Sequence, residues 1–190
     1  PENASYFEKI SGYALGSIFG SGGVSTRYSG KKLIFNADET ILSSANLACR
    51  KRVLDKIKFD ETLYPGEDPK FISDAKKNGF KIAYSPEIIA YNKRRTNLKD
   101  FAIQNFKYGM VRPKKESFVE TLKHPFFIVP SLLVLYLIFL IPLSIINKLF
   151  FIPAIIYAIL SIFFSAYESI KSHSLKSTFM LPIIFLAIHL

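Results

Sequence analysis

The sequence predicts an α/β globular segment followed by transmembrane α-helices. Short apolar strand-like runs alternate with helix-like runs through the first two thirds, and long uncharged stretches fill the rest. Charge divides the chain at the same place. Of the 25 Lys and Arg, only Lys148, Lys171 and Lys176 lie beyond Lys123, and of the 15 acidic residues only Glu168 does. We divide the chain into residues 1–112 as the globular part, 113–124 as a basic interfacial linker, and 125–190 as a membrane region.

Within the globular part, Tyr6 to Ile18 reads as a weak helix ended by a flexible loop, Phe19 to Gly23. Its glycines fit neither a P-loop nor a dinucleotide fingerprint. Thr40 to Ala48 has strand character, Arg50 to Ile57 reads as a short basic helix, and Phe59-Asp60-Glu61 as a turn. Pro65-Gly66 breaks the chain before a helix over Asp68–Asn78, which stops at Gly79. Lys81 to Tyr84 and Ile88 to Tyr91 read as short strands. The final helix runs from about Asn97, as N-cap, to Gly109.

The run from Pro125 to Ile146 has no charge and matches the ~20 residues that cross ~30 Å of hydrocarbon. Pro130 and Pro142 are tolerated there because neighbouring helices satisfy the freed carbonyls. After the turn Asn147-Lys148, a second run covers Leu149 to Tyr167. A third, Thr178 to Leu190, is too short to span and reads as the start of a longer helix. Lys107, Arg112, Lys114, Lys115 and Lys123 precede the first run, so that end and the loop carrying Lys171 and Lys176 are expected on the cytoplasmic side, with Lys148 outside.

Charge alone leaves nucleic acid, an anionic membrane and phosphorylated substrates open. The position of the cations before Pro125 favours the membrane, and no nucleic-acid partner is expected. Cys49 is the only cysteine, so no internal disulfide is expected and a reducing compartment fits. His124, His173 and His189 lack metal-ligand spacing.

The sharpest chemical feature is Glu67-Asp68 at a Gly-preceded helix start, after Asp60-Glu61. Free amides and the helix dipole hold a carboxylate there ionised and fixed in direction, which suits a general base. Capping of the helix is the other reading of the same pair. Lys93, Arg94 and Arg95 form a second cationic cluster. It fits a diphosphate or a lipid-linked phosphate, and equally a solvated loop beside a membrane.

Taken in order, Ser44-Ala45-Asn46-Leu47-Ala48-Cys49-Arg50-Lys51, Phe59-Asp60-Glu61, Gly66-Glu67-Asp68, Gly79-Phe80-Lys81-Ile82, Tyr84-Ser85-Pro86 and Gln104-x-x-Lys107-Tyr108-Gly109 resemble the family 2 glycosyltransferases of the GT-A fold. They are especially similar to the membrane-anchored bacterial enzymes of exopolysaccharide and lipid-linked glycan synthesis. The resemblance covers about Gly20 to Arg112. It implies the C-terminal part of a GT-A fold, a nucleotide-sugar donor, a glycan or lipid-linked acceptor, a divalent cation (Mg2+ or Mn2+), and inverting transfer at the cytosolic face of the bacterial inner membrane.

Carried over residue by residue, Asp68 is the implied base and Glu67 its support. Asn46 is implied beside the sugar or acceptor. Gln104, Lys107 and Tyr108 match the family's Q-x-x-R-W motif, with Lys for Arg and Tyr for Trp, and are implied beside the diphosphate. A lysine is a point charge where the arginine is a fork, so the contact differs in geometry. Arg95 is the cationic-loop residue expected to bind substrate. Relatives carry an acid and an Arg where Lys70 and Asp74 stand, so these two read as a structural pair. Asn92 stands where many relatives have a His. The family's Asp-x-Asp metal motif and its nucleotide-binding strands are expected upstream of Pro1, so the chain alone is expected to be an inactive fragment. A membrane-tethered basic domain binding anionic lipid or nucleic acid, and a scaffold subunit of a synthase complex, are the competing readings.

Overall fold

A computed structural model describes residues 3–30, 32–115, 118–122 and 128–190. Lys123, His124 and Pro125 to Phe127, the expected entry into the membrane, lie outside the described residues.

The described architecture is mostly helical, which corrects the α/β expectation and with it the GT-A fold. In chain order the helices are α1 (Tyr6–Gly16), α2 (Ile18–Ser21), α3 (Thr26–Ser29), α4 (Lys51–Lys56), α5 (Glu67–Lys77), α6 (Leu98–Lys115), α7 (Phe118–Leu122), α8 (Val129–Ile146), α9 (Ile152–Lys171) and α10 (Ser177–His189). Among the described residues the only sheet pairs β1 (Ile34–Phe35) antiparallel with β2 (Ala83–Tyr84), in the register Ile34 to Tyr84.

The missing strands have a local cause. Over 38–48, side chains take the backbone groups that a ladder would use. Asp38 Oδ1 accepts from the amide of Thr40 at 3.0 Å, and the Arg27 guanidinium donates to the carbonyls of Glu39 and Leu42 at 2.6 Å each. The Asp68 carboxylate then holds the Ser44 amide at 3.0 Å. The expected strand over Thr40–Ala48 is therefore a loop containing a 3-10 turn at Ser44–Asn46. Of Lys81–Tyr84 only the last two residues pair. The expected strand Ile88–Tyr91 makes no ladder, and the carbonyl of Ile88 accepts instead from Asn46 Nδ2 at 2.7 Å. The loop expected over Phe19–Gly23 is helical, in α2 and a 3-10 turn at Gly22–Ser25.

Several helix ends follow from their residues. Ser5 and Glu8 form a capping box at the start of α1. Asn97 accepts from the Asp100 amide at 2.9 Å and so caps α6, which continues to Lys115. α5 closes in a Schellman motif: the amides of Gly79 and Phe80 donate to the carbonyls of Lys76 and Ala75, with Gly79 at φ 78°. Lys70 and Asp74 pair at 2.7 Å along α5, and the bond raises the Lys70 pKa.

Two apolar clusters result. Ala37, Leu42, Val53, Ile57, Phe71, Ile72 and Ala75 gather α4, α5 and the loops before them, with Phe59 stacked on Phe71 at 4.3 Å. The other joins Phe7, Ile10 and Ala14 of α1, Phe101 of α6, and Leu181, Ile184 and Phe185 of α10. The third apolar segment is thus packed into the protein instead of lying alone. α9 packs on α10, and the small side chains of Ser169 and Ser177 meet there at 3.1 Å.

α8 and the segment Lys148–Lys171 are long and apolar enough to cross a membrane, with 0% and 11% of their apolar windows buried in the protein. That exposure separates them from the core helices of a soluble fold. The segment after the turn lies back against the middle of α8, where Tyr136 Oη donates to the Phe150 carbonyl at 2.7 Å and accepts from the Ala154 amide at 3.1 Å. The second bond satisfies an orphan amide at the start of α9. Tyr136→Phe removes both and is expected to cost about 0.5–1.7 kcal/mol, read as an earlier unfolding midpoint in a detergent titration.

Candidate functional site

The candidate site is an open cleft of about 2780 Å³, and its wall is built by the two halves of the fold together. Asn46, Glu67, Asp68, Gln104, Tyr108 and Arg95 all line it. Lys107 is the exception among the expected site residues: it is exposed and lies off the cleft wall.

Gly66 stands immediately before the acidic pair. It precedes α5 at φ 123°, a torsion that L side chains rarely adopt, and a Cβ there would sit 2.2 Å from Val111 Cγ1 of α6. The helix start is therefore pressed against α6. Gly66→Ala is expected to lose about 1–3 kcal/mol from the torsion alone, with the Val111 clash in addition. A denaturant midpoint equal to that of the parent would contradict this.

From that start the two carboxylates diverge. Glu67 turns back and accepts from the Gly66 amide at 2.9 Å, so it does the capping. Asp68 leaves its own helix and accepts from the Ser44 amide at 3.0 Å through Oδ2. Ser44 begins the turn that carries Asn46, whose amide nitrogen is in turn held by the Ile88 carbonyl. One carboxylate thus fixes the loop beside it, and Oδ1 has no other hydrogen bond among the described residues.

Across the cleft, Gln104 Nε2 donates to Tyr108 Oη at 2.9 Å along α6. Burial among cleft atoms pushes the Tyr108 pKa up, and the nearby charge of Asp68 pushes it the same way, although 53% of the residue's surface is open. Tyr108 therefore keeps its proton at neutral pH.

The cationic side belongs to Arg94 more than to Arg95. Arg95 is exposed at the rim, whereas Arg94 is half-buried and lies 5.0 Å above the Tyr28 ring, beside Gly12 of α1. Burial lowers its pKa, but a guanidinium stays charged. Neither Tyr28 nor the depth of Arg94 is signalled in the sequence, since both follow from α1 and α3 packing next to residues 92–95. At the far end, His189 Nε2 donates to the Phe19 carbonyl at 2.9 Å, which leaves Nδ1 to accept from Tyr157 Oη at 2.9 Å. This histidine has a packing role.

The described residues contain no group of three or more His, Cys, Asp or Glu side chains able to hold a metal ion. Asp68 and Glu67, with one oxygen each committed to a backbone amide, do not make such a set, and no step below passes through a cation. Comparison with protein-family models, with curated proteins and with solved structures yields no match.

Proposed function

We propose that the protein is an inverting glycosyltransferase of the family 2 type that moves a sugar from a nucleotide-sugar donor to a glycan or lipid-linked acceptor. The observation that carries this reading is Asp68, which reaches out of its own helix into a cleft shared with Asn46, Gln104 and Tyr108.

In the proposed step, the acceptor hydroxyl gives its proton to Asp68 as its oxygen bonds to the anomeric carbon. The bond from that carbon to the diphosphate breaks on the opposite face, the electron pair leaves with the nucleotide diphosphate, and the configuration inverts. Arg94 and Arg95 offset charge on the diphosphate or on a phosphate of the acceptor. Tyr108 offers a ring face and a protonated hydroxyl to a sugar. Mg2+ or Mn2+ belongs to the proposal through the family resemblance alone. The proposed setting is a bacterial inner membrane crossed more than once, with the cleft on the cytosolic side beside the basic linker.

The test is transfer from a panel of uridine- and guanosine-diphosphate sugars by membranes carrying the full-length protein, with the anomeric configuration of the product read by NMR. Nucleotide release coupled to an inverted glycoside is expected. Neither transfer nor donor hydrolysis with any member of the panel would remove the reading.

A further inference from the structure

A second cavity, of about 670 Å³, shares Leu42, Leu47, Ala48 and Ala83 with the cleft and otherwise has its own wall. Neither Asp68 nor Arg94 lines it. Its floor is apolar and belongs to the α4 and α5 cluster, with Val53 and Phe71 from the two helices and Phe80 beside them. Its only charged lining residues are Arg50, Arg52 and Lys81, which come from the start of α4 and the segment leading into β2. A fourth cation stands next to them, with Lys56 Nζ 5.7 Å from the centre of the Phe80 ring.

No carboxylate lines this cavity, although α4 carries Asp55 among its cations. Among the described residues none of Arg50, Arg52 and Lys81 is held in an ion pair. Cations spread over a convex surface are screened by water one at a time. Around a concavity with low-dielectric walls their fields add, and the uncompensated charge draws anions to that point. The floor makes a second demand, because exposed apolar surface in a concavity is covered best by a ring or a chain. The volume is that of a small-molecule site, which spans about 300–1,000 Å³. Three or four cations suit more than one phosphate, and an apolar floor bordered by Phe80 suits a flat ring.

We propose that this cavity binds a nucleoside polyphosphate, with its phosphates at Arg50, Arg52 and Lys81 and its base over the apolar floor beside Phe80. The site is separate from the cleft of Asp68, and the proposal does not rest on the transferase reading.

Cys49 is exposed and lines this cavity but not the cleft, so its alkylation reports occupancy. The full-length protein in phosphatidylcholine nanodiscs is treated with iodoacetamide with and without ATP, and modification at Cys49 is read by peptide mass spectrometry. About 1 mM ATP is expected to slow the modification about tenfold, which corresponds to a Kd of about 0.1 mM. Adenosine, which lacks the phosphates, and inorganic tripolyphosphate, which lacks the ring, each protect at least about threefold less. Arg52→Ala and Lys81→Ala each weaken protection by about threefold to tenfold, the loss of one charge-assisted contact, whereas Lys58→Ala, at a cation off the wall, leaves it unchanged. All three positions are exposed, so the fold is retained, and each variant is scored as its own ratio with and without ATP. No protection by ATP, tripolyphosphate equal to ATP, or Lys58→Ala as harmful as Arg52→Ala overturns the proposal. Protection by phosphatidylglycerol in the disc without any nucleotide overturns it too, since the cations would then face a membrane.

Discussion

Asp68→Asn is expected to lower sugar transfer by about 10²- to 10⁴-fold, the range that a positioned general base contributes. The substitution keeps shape and a carbonyl oxygen. Oriented with that oxygen towards Ser44, the amide still accepts from the backbone N–H now held at 3.0 Å, so the loop carrying Asn46 stays in place. What disappears is the capacity to take a proton. Expression, membrane insertion and the denaturation midpoint are therefore expected to match the parent while kcat falls. Asp68→Ala separates the two jobs, because it removes the base and also frees the Ser44 amide. It is expected to lose activity together with a smaller amount of stability, about 0.5–1.5 kcal/mol, because the freed Ser44 amide is exposed and water can take it. Transfer by Asp68→Asn at the parental rate would reduce Asp68 to a loop tie, and the acidic pair to structural work on both sides.

That the question turns on Asp68 and not on Glu67 is visible only in three dimensions. Both carboxylates stand at a helix start in the sequence, and capping explains either equally well. The structure divides them: Glu67 accepts from the Gly66 amide beside it, while Asp68 reaches the Ser44 amide 24 residues away. The features legible in the sequence are those that depend on neighbours along the chain. Gly79 ending α5, Asn97 starting α6, the Lys70 and Asp74 pair, and the two long uncharged runs all belong to this group. The expected strands failed for the complementary reason. Thr40 to Ala48 has the composition of a strand, but its amides and carbonyls are taken by Asp38, Arg27 and Asp68. Two of those three lie more than ten residues away, beyond the reach of any local pattern. Arg94 illustrates the same limit within the cleft. Three consecutive cations look alike in sequence, and only α1 and Tyr28 select one of them for burial.

Phe185→Ala is expected to have the largest effect on stability, about 3–5 kcal/mol, because the side chain is fully buried in the core shared by α1, α6 and α10. Its ring meets Phe19 edge-on at 5.1 Å, and Phe19 is itself stacked on Phe164 of α9 at 5.0 Å. Loss of Phe185 thus loosens α2, α9 and α10 at once. The prediction also decides what α10 is. An apolar helix surrounded by lipid would scarcely register the change, since acyl chains fill the space a deleted ring leaves. A helix at the centre of a protein core has no such filler. Phe179, on the same helix but 85% exposed, supplies the control, and Phe179→Ala is expected to change stability by less than about 0.5 kcal/mol. Unfolding in a mild detergent, followed by tyrosine fluorescence or by protease resistance of the α1 segment, reads both variants. Equal small shifts would place α10 in the bilayer and detach it from Phe7, Ile10 and Ala14. A large loss confined to Phe185 means that the globular part is held to α9 and α10 by a shared core.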